Sequence, residues 1–242
     1  MDDIRYKYAL NENGDPVCID NLSDGDRKNK KFICIYCNKE LIPRLGDIRR
    51  HHFAHKDDCN DCNNESYLHK LAKKIFKNRF DTSSSLDIFY INKSKTDVTN
   101  NDKDKTSENP PCPFSVKKYD KDCEFETNCF NRFELCKSYY CRYFYFVKEN
   151  LKEKYDICDE EKEMGGFRAD LLLSSSINPE ESKIMIEISV NHPCSENKKK
   201  LPCKIIEIFI KDEEDIKKLE NCSLSQSEES SDTSLKIMFY NF

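Results

Sequence analysis

An α/β sandwich built on a mixed sheet, with a small ribbon-like module ahead of it, is the architecture expected of this 242-residue chain. Three observations carry that expectation. Two short apolar runs rich in branched side chains, Gly165 to Leu173 and Ile184 to Val190, read as adjacent buried strands. A segment of helical period precedes them, and the order helix, three strands, helix, strand follows the α/β pattern. Finally, cysteines and histidines crowd into the stretch from Cys34 to Cys62, far ahead of those strands.

Charged residues make up 35% of the chain and the mean hydropathy is −0.83, so the core must be concentrated in a few segments. The net charge of −5 excludes a protein coated in positive charge, so any nucleic-acid contact must come from local basic patches. Met1-Asp2-Asp3-Ile4-Arg5 does not open a basic-then-apolar signal segment, and no apolar run approaches a membrane-spanning length. A cytoplasmic protein with no membrane contact is expected. In a reducing compartment, fourteen cysteines point to metal rather than to a secreted disulfide scaffold.

The first module is expected over residues 1–66. Tyr6 to Leu10 and Val17 to Ile19 read as a strand pair turning at Asn13-Gly14-Asp15. Cys34-x-x-Cys37 on a turn, His52-Phe53-Ala54-His55, and Cys59-x-x-Cys62 then supply the donors of a tetrahedral zinc site in a ribbon-like module. Cys34, Cys37, His55 and Cys59 are the first choice of ligands, with His52 and Cys62 in reserve. A basic amphipathic helix from about Glu65 to Phe80 and its connection fill residues 67–92. Its apolar stripe is Leu68, Leu71, Ala72, Ile75 and Phe76, and Lys70, Lys73, Lys74 and Lys77 line another side.

Residues 93–111 read as a polar linker, and residues 112–145 as a cysteine- and aromatic-rich segment with room for a second zinc. The last domain is expected over residues 146–242. Val147, Leu151 and Tyr155 step at i, i+4, i+8 and predict a helix over 146–155. Beyond the Gly165-Gly166 turn come the two apolar strands, a short helix capped by Ser195, a strand Lys204 to Ile210, a helix Glu213 to Leu219, and a final strand Leu235 to Tyr240. Each of the first two strands carries one carboxylate, Asp170 or Glu187, where a hydrophobe would pack more cheaply. Side by side at the strand ends, the two have the geometry of a divalent-metal site.

Cys34-x-x-Cys37, His52-Phe53-Ala54-His55 and Glu65-Ser66-Tyr67-Leu68-His69-x-x-x-Lys73 resemble the N-terminal half of CoiA-like competence-associated proteins. The second half, with Gly166-Phe167-x-Ala169-Asp170 and Ile186-Glu187-Ile188-x-Val190-x-His192, resembles the nuclease-like portion of that group and, through it, the PD-(D/E)XK restriction-endonuclease-like superfamily. The resemblance implies Asp170 and Glu187 as the motif acids, which would hold Mg²⁺ or Mn²⁺, with Glu161 as an upstream acid. Ser189 stands where that superfamily carries lysine or glutamine. Lys198 or Lys200 would then have to supply the cation, and His192 could serve as acid or base.

The resemblance implies a metal-dependent nuclease acting on DNA, and Arg44, Arg49, Arg50, Lys73 and Lys77 are the basic residues that could form its binding surface. Two readings compete with it. One is a zinc-stabilised DNA- or protein-binding protein with an inactive nuclease fold. The other is that Asp170 and Glu187 only form ion pairs with Arg168 or a lysine.

Overall fold

The structure is a computed structural model that describes residues 6–46, 48, 50–57, 59, 62–93, 144–179, 183–227 and 234–242. The expected linker from residue 94 on and the cysteine-rich segment through residue 143, with its candidate second zinc, lie outside the described residues.

The first module is an antiparallel sheet of β1 (Tyr8–Leu10), β2 (Pro16–Cys18), β3 (Phe32–Ile33), β4 (Glu40–Arg44) and β5 (His52–His55), in the order β2-β1-β3-β4-β5. Tyr6, just ahead of β1, exchanges backbone hydrogen bonds with Phe53 at 3.2 and 2.7 Å, tying the first strand's approach to the last strand. A short helix α1 (Asp24–Asn29) links β2 to β3.

Helix α2 (Asn64–Thr82) follows, started by the Asn63 side chain, which accepts from the Ser66 N–H at 2.8 Å. It buries Tyr67, Leu68, Leu71, Ala72, Ile75, Phe76 and Phe80, the stripe its sequence period requires. At about 1.5 to 3 kcal/mol for each large apolar side chain removed from water, this stripe is a main stabiliser of the helix.

The second sheet takes α2 on one face. Strands β8 (Ile157–Met164), β9 (Phe167–Ser174) and β10 (Ile184–Ser189) run antiparallel in sequence. A crossover containing α3 (Glu196–Lys199) returns the chain to β11 (Lys204–Phe209), parallel to β10, and β13 (Ile237–Tyr240) closes the edge antiparallel to β11. The order is β13-β11-β10-β9-β8, a mixed sheet, and α4 (Glu213–Asn221) packs beside α2. Every residue of β10 is buried, as expected of a central strand with neighbours on both sides. A third sheet pairs β6 (Asp87–Lys93) with β7 (Phe144–Asn150) and β12 (Leu224–Ser225). One core cluster runs through all three sheets, from Tyr6 through Phe76 and Ile88 to Ile186 and Ile237.

Some elements differ from expectation. The helix expected over 146–155 is instead β7 followed by a 3-10 turn, Leu151–Glu153. Aromatic and β-branched residues favour the pleated backbone, and β6 supplies a full antiparallel partner from Asp87↔Asn150 to Lys93↔Phe144. Leu151 and Tyr155 are buried through the tight turn between them, where the Tyr155 N–H donates to the Leu151 carbonyl at 2.9 Å. The charged stretch ahead of Gly165-Gly166 is also a strand, β8. Both glycines have positive φ, 61° and 78°, as a two-residue hairpin turn requires. A side chain at Gly165 would also meet Leu201 at 2.9 Å.

Candidate metal centre and adjoining pocket

The Cys34–Cys37 turn is closed by Asn38, whose N–H donates to the Cys34 carbonyl at 2.9 Å and whose φ is 58°, a conformation Asn accepts readily. The turn faces β5 and the segment that leads into α2. Ligand atoms of Cys34, Cys37, His55 and Cys62 lie within 4.8 Å of one another, so these four could hold a metal ion. Cys34 Sγ is 3.7 Å from Cys62 Sγ, and His55 Nε2 is 3.2 Å from Cys37 Sγ and 3.6 Å from Cys62 Sγ. A tetrahedron with zinc–sulfur bonds of about 2.3 Å has sulfurs roughly 3.8 Å apart, so the spacing fits zinc. Burial first, and then the neighbouring sulfurs, push the Cys62 thiol well up, a crowding that a bound cation would relieve.

Cys62, held in reserve on sequence grounds, takes the fourth place in this group. Cys59 stands beside it, its Sγ 3.8 Å from Cys37 Sγ and 3.6 Å from Cys62 Sγ. His52 is turned elsewhere, with Nδ1 2.9 Å from the Arg50 carbonyl oxygen. Side chains alternate along β5, so residues three apart face opposite sides and His52 cannot join His55. The ring of Tyr6 meets His55 edge-on at 5.6 Å and fixes its orientation.

The carboxylate region lies where β9 and β10 part. Their last paired residues are Leu171 and Ile186, so Asp170 and Glu187 sit one step beyond, at facing positions. Asp170 Oδ2 takes over the role of a partner strand and accepts from the Ile188 N–H at 2.9 Å. His69 Nε2 on α2 is 3.1 Å from the same oxygen, and Lys73 Nζ is 3.9 Å from Asp170 Oδ1. Burial raises the Asp170 pKa, but the His69 and Ile188 hydrogen bonds and the charges of His69 and Lys73 outweigh it and leave the carboxyl below its ordinary range.

Glu187 is met by Lys198 of α3, whose ammonium is 2.6 Å from Oε2 and also donates to the Arg168 carbonyl at 2.6 Å. Its other oxygen, Oε1, is buried and has no hydrogen-bond partner among the described residues. Burial first, and Asp170 after it, push the Glu187 pKa up to about 7 against the pull of Lys198.

Ser189 donates to Glu207 Oε1 at 2.5 Å, and the Cys194 N–H and the Tyr240 hydroxyl complete the shell of that buried carboxylate at 2.5 and 2.9 Å. Glu161 accepts from Lys73 and from Arg168 Nε, the latter at 2.7 Å. Its φ of 56° lies in the left-handed region, a local strain of about 1 to 3 kcal/mol for such a residue.

Beside Asp170 a pocket of about 430 Å³ opens, lined by His69, Lys73, Glu161, Arg168, His192 and, from the Cys34–Cys37 turn, Tyr36. His192 is 88% exposed at its rim, with Nε2 3.9 Å from Glu65, and Lys200 faces solvent. Of the basic residues expected on a binding surface, Arg44 is exposed, Arg50 reaches Glu214 at 3.4 Å, and Lys77 donates to the Cys158 carbonyl at 2.7 Å. Arg49 lies outside the described residues. Sequence reasoning gave His69 no partner, yet Glu65, His69 and Lys73 recur every four residues, which places all three on one helix face and in the pocket wall.

Residues 20–65 match the family model described as Competence protein CoiA, N-terminal domain. Over those residues the first module is similar to a CoiA N-terminal domain. The match takes in Cys34, Cys37, His55, Cys59 and Cys62 and stops at Glu65, the second residue of α2. No curated protein and no solved structure matches the chain. No helix among the described residues is long and apolar enough to cross a membrane.

Proposed function

We propose that this CoiA-like protein is a divalent-metal-dependent nuclease that hydrolyses phosphodiester bonds in DNA, with its first module stapled by zinc. The observation that carries the reading is Glu187 Oε1, a buried acceptor without a partner among the described residues, on a residue opposite Asp170 where two central strands part. A buried carboxylate oxygen left unpaired is costly and calls for a cation. The helix α2, the β8-β9-β10 meander, the α3 crossover and the parallel β11 together support a PD-(D/E)XK-like core. The matched family's name also suggests a competence-associated role.

Asp170 and Glu187 are oxygen donors of the kind Mg²⁺ and Mn²⁺ take, and a bound ion would supply a water of lowered pKa and polarise a phosphate oxygen. The chain's own residues do the rest. Lys73 and Arg168 present positive charge to a phosphate in the pocket, and His69 offers a ring nitrogen beside them. Lys198 holds Glu187 in place and brings an ammonium to the site where Ser189 offers none. His192, at the rim, is placed to exchange a proton with a bound group.

Purified protein should cut DNA with added Mg²⁺ or Mn²⁺, and Asp170→Ala and Glu187→Ala should each lower the rate roughly 10²-fold or more. Undiminished cutting by both variants would sink the assignment.

One observation favours a second reading, a zinc-stabilised DNA- or protein-binding protein whose nuclease fold is inactive. Both carboxylates already have a lysine beside them within the chain, Lys73 for Asp170 and Lys198 for Glu187, and the Ser189 hydroxyl is tied to Glu207. That protein would bind DNA equally well after Asp170→Asn and Glu187→Gln, and would not cut it.

A further inference from the structure

Among the described residues, Asn38, Glu161 and Asn241 are the non-glycine residues with positive φ. Two are asparagines, whose short side chain tolerates the left-handed region; Glu161 has no such excuse. The pairs Glu160↔Leu171 and Lys162↔Ala169 flank it in unbroken register, so the kink inserts no residue. It re-aims one side chain, opposite Asp170.

That side chain ends in the pocket wall, with one oxygen on Lys73 and the other 2.7 Å from Arg168 Nε. The Lys73 side chain is only 8% exposed, so its charge is poorly served by water and needs an anion. Two cations that grip both oxygens of one carboxylate are also a fitting clamp for a phosphate.

We propose that Glu161 is an internal placeholder. Its carboxylate occupies the anion subsite formed by Lys73 and Arg168, and a substrate phosphate displaces it and frees its backbone from the left-handed conformation. This rests on the reading that the pocket takes a phosphodiester, and it gives Glu161 a different task from the metal-bound upstream acid that the family resemblance implies. A self-occupied subsite lowers apparent affinity by the fraction of time it is closed.

The test is binding of a fluorescently labelled single-stranded oligodeoxynucleotide to the full chain, zinc retained and no Mg²⁺ or Mn²⁺ added. Glu161→Gln and Glu161→Gly should each bind about tenfold tighter than the natural chain, the value for a subsite closed about nine-tenths of the time. Both changes take the anion from Lys73, so Glu161→Gly should be the more stable of the two, since glycine adopts the left-handed backbone freely. The gain should vanish when Lys73→Ala and Arg168→Ala are added.

Unchanged or weaker binding by both Glu161 variants overturns the placeholder. In that event, Lys73→Ala with Arg168→Ala in the natural background separates the two ideas. Weakened binding there leaves the phosphodiester pocket standing without the placeholder, whereas unchanged binding removes the pocket reading itself.

Discussion

The cysteine–histidine cluster and the carboxylate pocket lie against each other, with Tyr36 of the Cys34–Cys37 turn lining the pocket, yet they are built on opposite principles. The cluster gathers its four donors from residues 34 to 62, where burial and neighbouring sulfurs push the Cys62 thiol up. The pocket gathers α2, β8, β9 and β10, and balances its charges internally: Asp170 with Lys73, Glu161 with Lys73 and Arg168, and nearby Glu187 with Lys198. The first arrangement is a set of donors that an ion could complete. The second is held by ion pairs within the protein.

The strongest way to break this contrast is to remove the cluster's ion. Structural zinc contributes on the order of 10 kcal/mol in small metal-dependent domains, so Cys34→Ser or Cys62→Ser should unfold the first module. Elemental analysis should find one zinc in the natural chain and none in these variants, with circular dichroism reporting the loss of structure. Cys59→Ser should keep the metal; a zinc-free Cys59→Ser protein would mean that Cys59, not Cys62, is the fourth ligand.

The next effect belongs to the pocket side. Lys198→Met leaves Glu187 buried without its cation and should cost roughly 3 to 5 kcal/mol in chemical denaturation. Adding Glu187→Gln should recover part of that loss. If Lys198→Met alone is neutral, the internal balance of charge is not what holds this region.

The smallest effect is a pH dependence, measured without added divalent ion. Glu187 titrates at about 7 in the folded chain against an ordinary 4.5, so the unfolded chain gives up its proton first as pH rises. Stability should therefore fall between those two values, by on the order of 3 kcal/mol, and level off above them. Asp170, with its pKa lowered, acts with the opposite sign and only in more acid solution, below its ordinary 3.8. Glu187→Gln should flatten the slope near neutrality; an unchanged slope would assign it to another group.

What could be read in advance follows the same division. The cysteine and histidine spacing named the cluster, because donors close in sequence on turns and a hairpin have few ways to be arranged. The sequence favoured Cys59 over Cys62 and the structure groups Cys62, since both flank the same short segment and only their placement in space separates them. Helix α2 and strands β9, β10 and β11 were legible from period and branched side chains. The 146–155 segment was misread because three apolar residues at helical spacing cannot reveal a partner strand some sixty residues earlier.

By itself, the sequence determined the donor cluster, the amphipathic helix and the two strands that carry Asp170 and Glu187, because local spacing and side-chain period govern each of them. Only the tertiary structure decided that Lys198 serves Glu187, that Ser189 serves Glu207, and that Glu161 turns backwards to join Lys73 and Arg168. Those pairings join residues brought together by strand register and helix docking, and the energy of a charge depends on what surrounds it in space rather than on what precedes it in the chain.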